Sequence, residues 1–186
     1  MAGTAGKWSG IAAAAGVGLV SGLLSALAFV SGEIDVSNIA DLLGLLQSLS
    51  PGLIFGLLVG LYLLWRGRTG PGRLLAFIIL TDASWYAAFR FAVWADGDNI
   101  IANIWLVGLL AGMLGAALLM VSSVLLFPFF RRVRLALAMV ALGGAAGLLL
   151  GVDSPYPLFG VWQALVAGCY GVALAQAATR RGAPTA

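Results

Sequence analysis

Apolar residues fall in six blocks separated by short polar segments, at residues 8–30, 51–65, 74–94, 103–130, 135–152 and 158–179. Blocks of this kind approach the ~20 apolar residues that a helix needs to cross a bilayer core. The pattern predicts an all-α membrane protein: a six-transmembrane-helix bundle forming a single polytopic domain over residues 1–186. Residues 37–49 have a different period. Ile39, Leu42, Leu43, Leu46 and Leu49 recur every three or four positions, with Asn38, Asp41, Gln47 and Ser48 opposite. That spacing predicts one short interfacial amphipathic helix, capped by Ser37. It reads either as a connector or as a lid. Ser50-Pro51 then reads as the start of the second span, a serine cap followed by proline at the first helical position.

The first block follows Lys7 and contains Ala26-Leu27-Ala28, which has the form of a signal-peptide cleavage site. Its length favours a membrane span over a secretory leader, whose apolar core is usually 7–15 residues.

Charge sorts the loops. Lys7, the Arg66/Arg68/Arg73 group, the Arg131/Arg132/Arg134 group and Arg180/Arg181 occupy alternate boundaries, and Glu33, Asp35, Asp41, Asp96, Asp98 and Asp153 occupy the others. Under the positive-inside rule this predicts both termini in the cytoplasm. The expected location is a bacterial inner (plasma) membrane. Trp8, Trp65, Trp94 and Trp105 fall near the predicted interfaces, as an aromatic belt requires.

Composition narrows the classes of function. The chain is 62% hydrophobic and 9% charged, with mean hydropathy +1.06. Its net charge of +3 comes from span ends, so it marks topology and not a nucleic-acid surface. There is no histidine and one cysteine, Cys169. Histidine-ligated haem, histidine zinc sites, histidine triads and an intramolecular disulfide therefore have no candidates. No lysine lies within a predicted span, so a retinal-type Schiff base has none either. No catalytic residue, metal site or cofactor is indicated.

Small residues recur every four positions in most spans: Ala14/Gly18/Gly22/Ala26, Gly52/Gly56/Gly60, Gly108/Gly112/Ala116, Gly143/Gly147/Gly151 and Gly160/Ala164/Gly168. Such stripes let helix backbones approach closely, within one bundle or between copies. The third span has no glycine between Leu74 and Trp94 and is the richest in polar and aromatic residues. It is expected at the centre of the bundle. Ser50-Pro51-x-x-Ile54-Phe55-Gly56 echoes Ser154-Pro155-x-x-Leu158-Phe159-Gly160, which admits a duplicated hairpin of the kind that frames midplane sites in transporters.

Asp82 and Arg90 are the two charges that topology does not explain. They lie within the third span, about 12 Å apart along its axis and about 80° apart around it. Intramembrane charges are expensive and point to function by default. Tyr86 stands midway and is placed to bridge them. Trp85, and Trp162 and Gln163 at the matching depth of the sixth span, complete the candidate ligand-binding set of Asp82, Arg90, Tyr86, Trp85, Gln163 and Trp162. Together they predict a pocket opening outward between the third and sixth spans.

Three readings of this set stand. It is a buried polar network that fixes the bundle, a hydrated cavity for a solute, or a site of chemistry, for which no second carboxylate is at hand. The leading expectation is a non-enzymatic protein that binds or translocates a small polar solute or ion. The alternative is an accessory or scaffold subunit whose partner, besides the lipid bilayer, is a second copy or a larger membrane complex. In size and span count the chain is similar to the substrate-capturing subunits of energy-coupling-factor vitamin transporters, a likeness of architecture alone.

Overall fold

The computed structural model describes residues 2–31, 40–66 and 68–181, and side chains at 8–30, 50–66 and 68–179. It is an all-α membrane bundle of six helices: α1 (Ala2–Ser31), α2 (Ala40–Trp65), α3 (Pro71–Gly97), α4 (Ile104–Leu126), α5 (Val133–Gly147) and α6 (Pro155–Arg181). Short 3-10 turns at Pro128–Phe130 and Leu148–Gly151 flank α5. Five stretches are long and apolar enough to cross a membrane, and Ser50–Trp65 is a shorter apolar helix.

Local chemistry explains most boundaries. Pro71 opens α3 in its first turn, where a missing N–H costs nothing. Asn103 caps α4, its Oδ1 accepting from the backbone N–H of Trp105 at 3.0 Å and of Leu106 at 3.3 Å. Asn99 turns the α3–α4 connection with φ of 50°, a left-handed conformation that asparagine tolerates. The fourth span ends at Leu126 and not at Phe130, because Pro128 cannot continue the hydrogen-bond ladder and starts a 3-10 turn instead.

Pro51 behaves differently from the sequence expectation. It does not start a helix but lies inside α2, which runs unbroken from Ala40 to Trp65. The separate interfacial helix at 37–49 is therefore replaced, from Ala40 on, by the first turns of α2. Its Ser37 cap lies outside the described residues. The 26 residues of α2 span ~39 Å at 1.5 Å per residue, whereas the block 51–65 alone is too short to cross.

Each helix packs against its neighbours in sequence, and α6 closes the ring on α1. The α1–α6 seam is the most extensive contact, and the backbones of α3 and α6 hardly approach one another. Glycines of some stripes lie within these seams. A Cβ on Gly18 would meet the backbone O of Gln163 at 2.2 Å, and one on Gly22 the backbone O of Phe159 at 2.3 Å. Gly52 and Gly56 of α2 lie against Asp82 and Ile78 of α3, and Gly108 and Gly112 of α4 against Gly147 and Gly143 of α5. Backbone contact of this kind replaces the hydrophobic driving force that lipid does not supply.

The central helix is α6, not α3. Within the most apolar window of each helix, 56% of residues are buried in α6 and 22% in α3. A repeating set on α3 (Leu75, Ile79, Ala83, Tyr86, Arg90, Val93) faces away from the bundle. α3, which has no glycine between Leu74 and Trp94, thus has a broad outward face, while small-residue α6 is enclosed by its neighbours.

The two halves of the bundle are filled differently. At the end carrying Arg131, Arg132 and Arg134, Phe77, Phe127, Phe130 and Tyr170 pack into a buried aromatic cluster, with centroids 4.7–5.7 Å apart. Tyr170 shares a short hydrogen bond with Ser123, whose hydroxyl donates to the backbone O of Leu119 at 2.7 Å. The opposite half is not filled.

Candidate functional site: an aromatic cleft with a polar floor

The open half holds a cleft with a cavity volume of about 80 Å³. On α3, Trp85, Ala88, Phe89 and Ala92 line it at helical spacing; Phe159 and Trp162 face them from α6. Gly108, Gly112 and Gly115 of α4, with Gly147 of α5, form a side-chain-free wall. The aromatics hold one another in place. The Trp85 and Phe159 ring centroids are 5.1 Å apart, and Trp85 stacks on Phe89 at 6.2 Å with 22° between planes. Trp162 meets Phe55 edge-on at 6.1 Å. Such pairs contribute about 0.5–1.5 kcal/mol beyond their area burial.

Towards the acidic loop the cleft widens into a mouth. That mouth shares Trp85, Phe89, Leu150, Leu158 and Phe159 with the cleft and adds Phe29, Val30, Asp153, Ser154 and Pro155. Towards the bundle centre the cleft meets a small chamber across Trp85, Gly115 and Trp162. Thr81, Ser84, Gln163, Gly52 and Phe55 complete this chamber. It leaves about 10 Å³ to the centre of a water molecule, which is room for one.

The polar groups of the chamber are incompletely paired. Ser84 donates to the backbone O of Leu80 at 2.7 Å. Gln163 is 2% exposed, and its Nε2 donates to Ser25 Oγ at 3.0 Å. Ser25 in turn donates to the backbone O of Pro51 at 3.5 Å. With the amide oriented this way, Oε1 is its unused end. Gln163 Oε1 has no hydrogen-bond partner, nor has Thr81 Oγ1, on a residue 3% exposed. Buried polar atoms are nearly always paired, and each exception asks for a reason.

Of the six candidate residues, Trp85, Trp162 and Gln163 come together here, around the chamber and a cleft that opens beside Asp153. Asp82, Tyr86 and Arg90 do not join them. Asp82 is half-buried against Gly52 of α2, with Oδ1 unpaired. Tyr86 and Arg90 are exposed on the outer face of α3. Among the described residues no ion pair joins Asp82 to Arg90, and neither lines the cleft, its mouth or the chamber. The 80° between them around the helix sends the two side chains to different surroundings. No group of three or more His, Cys, Asp or Glu side chains is placed to hold a metal ion among the described residues.

Sequence reasoning assigned no site role to Thr81, Phe89, Phe159 or the glycine wall. Two signals for the aromatics were present: Trp85/Phe89 at i, i+4 and Phe159/Trp162 at i, i+3 each put paired rings on one helix face. The double role of Gly108 and Gly112, as helix seam and cleft wall, had no signal of its own.

Fold and site together define an integral membrane helix bundle with an apolar, polar-floored cleft. Comparison with family models, with curated proteins and with solved structures finds no match to this chain.

Proposed function

We propose that this protein binds a small, mainly apolar molecule in the cleft between α3, α4, α5 and α6. One observation carries the proposal: an aromatic, glycine-walled cleft adjoins a chamber lined by Thr81 and Gln163, two buried residues that each hold a polar atom without a partner. Ligand sites are typically apolar concavities with a few placed polar groups. The expected polar solute or ion held by Asp82 and Arg90 is replaced by an apolar ligand, because neither charge reaches the cleft. In this reading, which the basic loops support through the positive-inside rule, the aromatic-filled half is on the cytoplasmic side of a bacterial inner membrane, with both termini there. The mouth beside Asp153 then faces outward, and the ligand arrives from the outer side.

The test is a thermal-shift screen of small apolar compounds on purified protein. A ligand should raise the melting temperature of wild type and fail to do so in Ala92→Phe, which fills the cleft near its rim, and in Gly115→Leu. Compounds that stabilise all three proteins equally, or none, would sink the proposal.

A second reading, an accessory subunit that docks on another membrane protein, is favoured by Arg90. A cation on the bilayer-facing side of α3 is costly in lipid and suits an acidic residue of a partner. Native mass spectrometry of wild type and Arg90→Gln after mild extraction checks it: identical assembly states would remove the support.

A further inference from the structure

We infer that the ligand of this cleft is an uncharged molecule with a flat apolar body and a single hydroxyl head, a phenol or an alcohol, with the hydroxyl seated between Gln163 Oε1 and Thr81 Oγ1. This rests on the proposed binding function and specifies the chemistry of its ligand. Three features of the site lead to it.

The first is hydrogen-bond polarity. Gln163 Nε2 is directed at Ser25 at 3.0 Å, which leaves Oε1, an acceptor, as the end without a partner. Its missing partner must carry a proton. A ketone, quinone or ether head brings only acceptors and would leave Oε1 unpaired. Thr81 Oγ1, also unpaired, can donate or accept. A hydroxyl can both donate to Oε1 and accept from a threonine hydroxyl, and Gln163 and Thr81 line the same chamber.

The second is size. The chamber leaves about 10 Å³ for the centre of a water-sized group. One hydroxyl oxygen fits that space. A carboxylate or phosphate needs several times as much.

The third is charge and shape. The cleft wall is formed by Trp85, Phe89, Phe159 and Trp162 on one side and by side-chain-free Gly108, Gly112 and Gly115 on the other. No charged side chain lines the cleft or the chamber, so an ion there would lack a counter-charge. A glycine wall facing aromatic rings makes a slot suited to a flat body.

The experiment uses the full chain in lipid nanodiscs and three matched probes: 2-naphthol, 2-methoxynaphthalene and naphthalene. Binding is read by quenching of tryptophan fluorescence, after subtracting the signal from Ala92→Phe, which reports partition into lipid. We expect 2-naphthol to bind at least tenfold more tightly than its methyl ether or the hydrocarbon. Gln163→Leu should abolish that preference while leaving naphthalene binding within about threefold. Thr81→Val, a near-isosteric change, should reduce it and serves if Gln163→Leu does not fold. Equal affinity for naphthol and its ether in wild type would overturn the hydroxyl assignment but leave the apolar cleft standing, with the chamber then holding only a water. No specific quenching by any of the three would overturn the cleft as a binding site along with it.

Discussion

The α4–α5 seam offers a sharp test of how the bundle is held. Gly108 and Gly147 lie against each other reciprocally: a Cβ on either would stand 2.1 Å from the backbone O of the other. Ordinary C···O contacts are about 3.3–3.6 Å, so Gly108→Ala forces the helices apart by roughly 1.2 Å or more. The obstacle is backbone, not a flexible side-chain end, and cannot turn away. Overpacking typically costs about 1–3 kcal/mol, and rigid backbone puts this site at the upper end. Alanine recovers about 1 kcal/mol of helix propensity, leaving a net loss of about 2 kcal/mol. Gly16 is the control, because a Cβ there meets nothing within 4 Å. Gly16→Ala should therefore be neutral or stabilising by up to about 1 kcal/mol. Reversible unfolding of each variant in mixed micelles, titrated with denaturing detergent, measures the difference. Because a single separation of the helices relieves both contacts, Gly108→Ala/Gly147→Ala should lose less than the sum of its single variants. If Gly108→Ala is as stable as Gly16→Ala, or if the double variant is fully additive, the close backbone seam is not what holds α4 to α5.

Three further outcomes are expected. Ser25→Ala removes the acceptor for the buried Gln163 amide and should cost about 1 kcal/mol in the same unfolding assay, the scale of an interhelical hydrogen bond in a membrane; adding Gln163→Leu to that background should cost nothing more, and an additive loss would disprove the coupling. Asp82→Asn should raise stability by about 1–2 kcal/mol, since it removes a charge from the span at a carboxyl with an unpaired oxygen, and it should leave cleft binding unchanged; a loss of binding would return Asp82 to the site. Cys169, buried in the folded chain at 5% exposure, should resist maleimide in detergent micelles and label promptly on denaturation, as followed by intact mass; rapid labelling of the native protein would contradict the packing of α6.

The helices were legible because lipid imposes a simple rule on the sequence. Every backbone polar group in the membrane must be satisfied internally, so apolar length translates into helix, and loop charge alternates with each crossing. Some of the striped glycines, among them Gly18, Gly22, Gly108 and Gly112, do lie against a neighbouring backbone. What the stripes do not state is which stripe meets which. Gly18 and Gly22 of α1 proved to lie against Gln163 and Phe159 of α6, at the far end of the chain. Pro51 misled because a serine-proline pair reads as a helix start, while the preceding turns continue into the same helix. Asp82 and Arg90 stand apart from each other and from the cleft for a geometric reason. Composition reveals that a charge lies within a span, but the direction it faces depends on where the neighbouring helices stand.

That directional question explains why α3 carries so many unusual residues without being central. The helix serves three surroundings at once. Thr81, Ser84, Trp85, Ala88 and Ala92 face the chamber and the cleft, Asp82 faces Gly52 on α2, and Tyr86 and Arg90 face outward. The cleft exists because α3 and α6 stand apart and only side chains bridge the gap. In the basic half Phe77 reaches Tyr170, with 5.7 Å between centroids, and Phe127 and Phe130 fill the remainder. In the acidic half Trp85 and Phe159 meet at 5.1 Å, but glycines replace aromatics on α4 and nothing fills the space beside them. The seam glycines therefore set the cleft's width as well as the approach of α4 to α5, so a substitution that parts these helices should change ligand affinity along with stability. Gly108→Ala, measured for both, joins the two halves of the argument: a stability loss with unchanged affinity would separate the seam from the site.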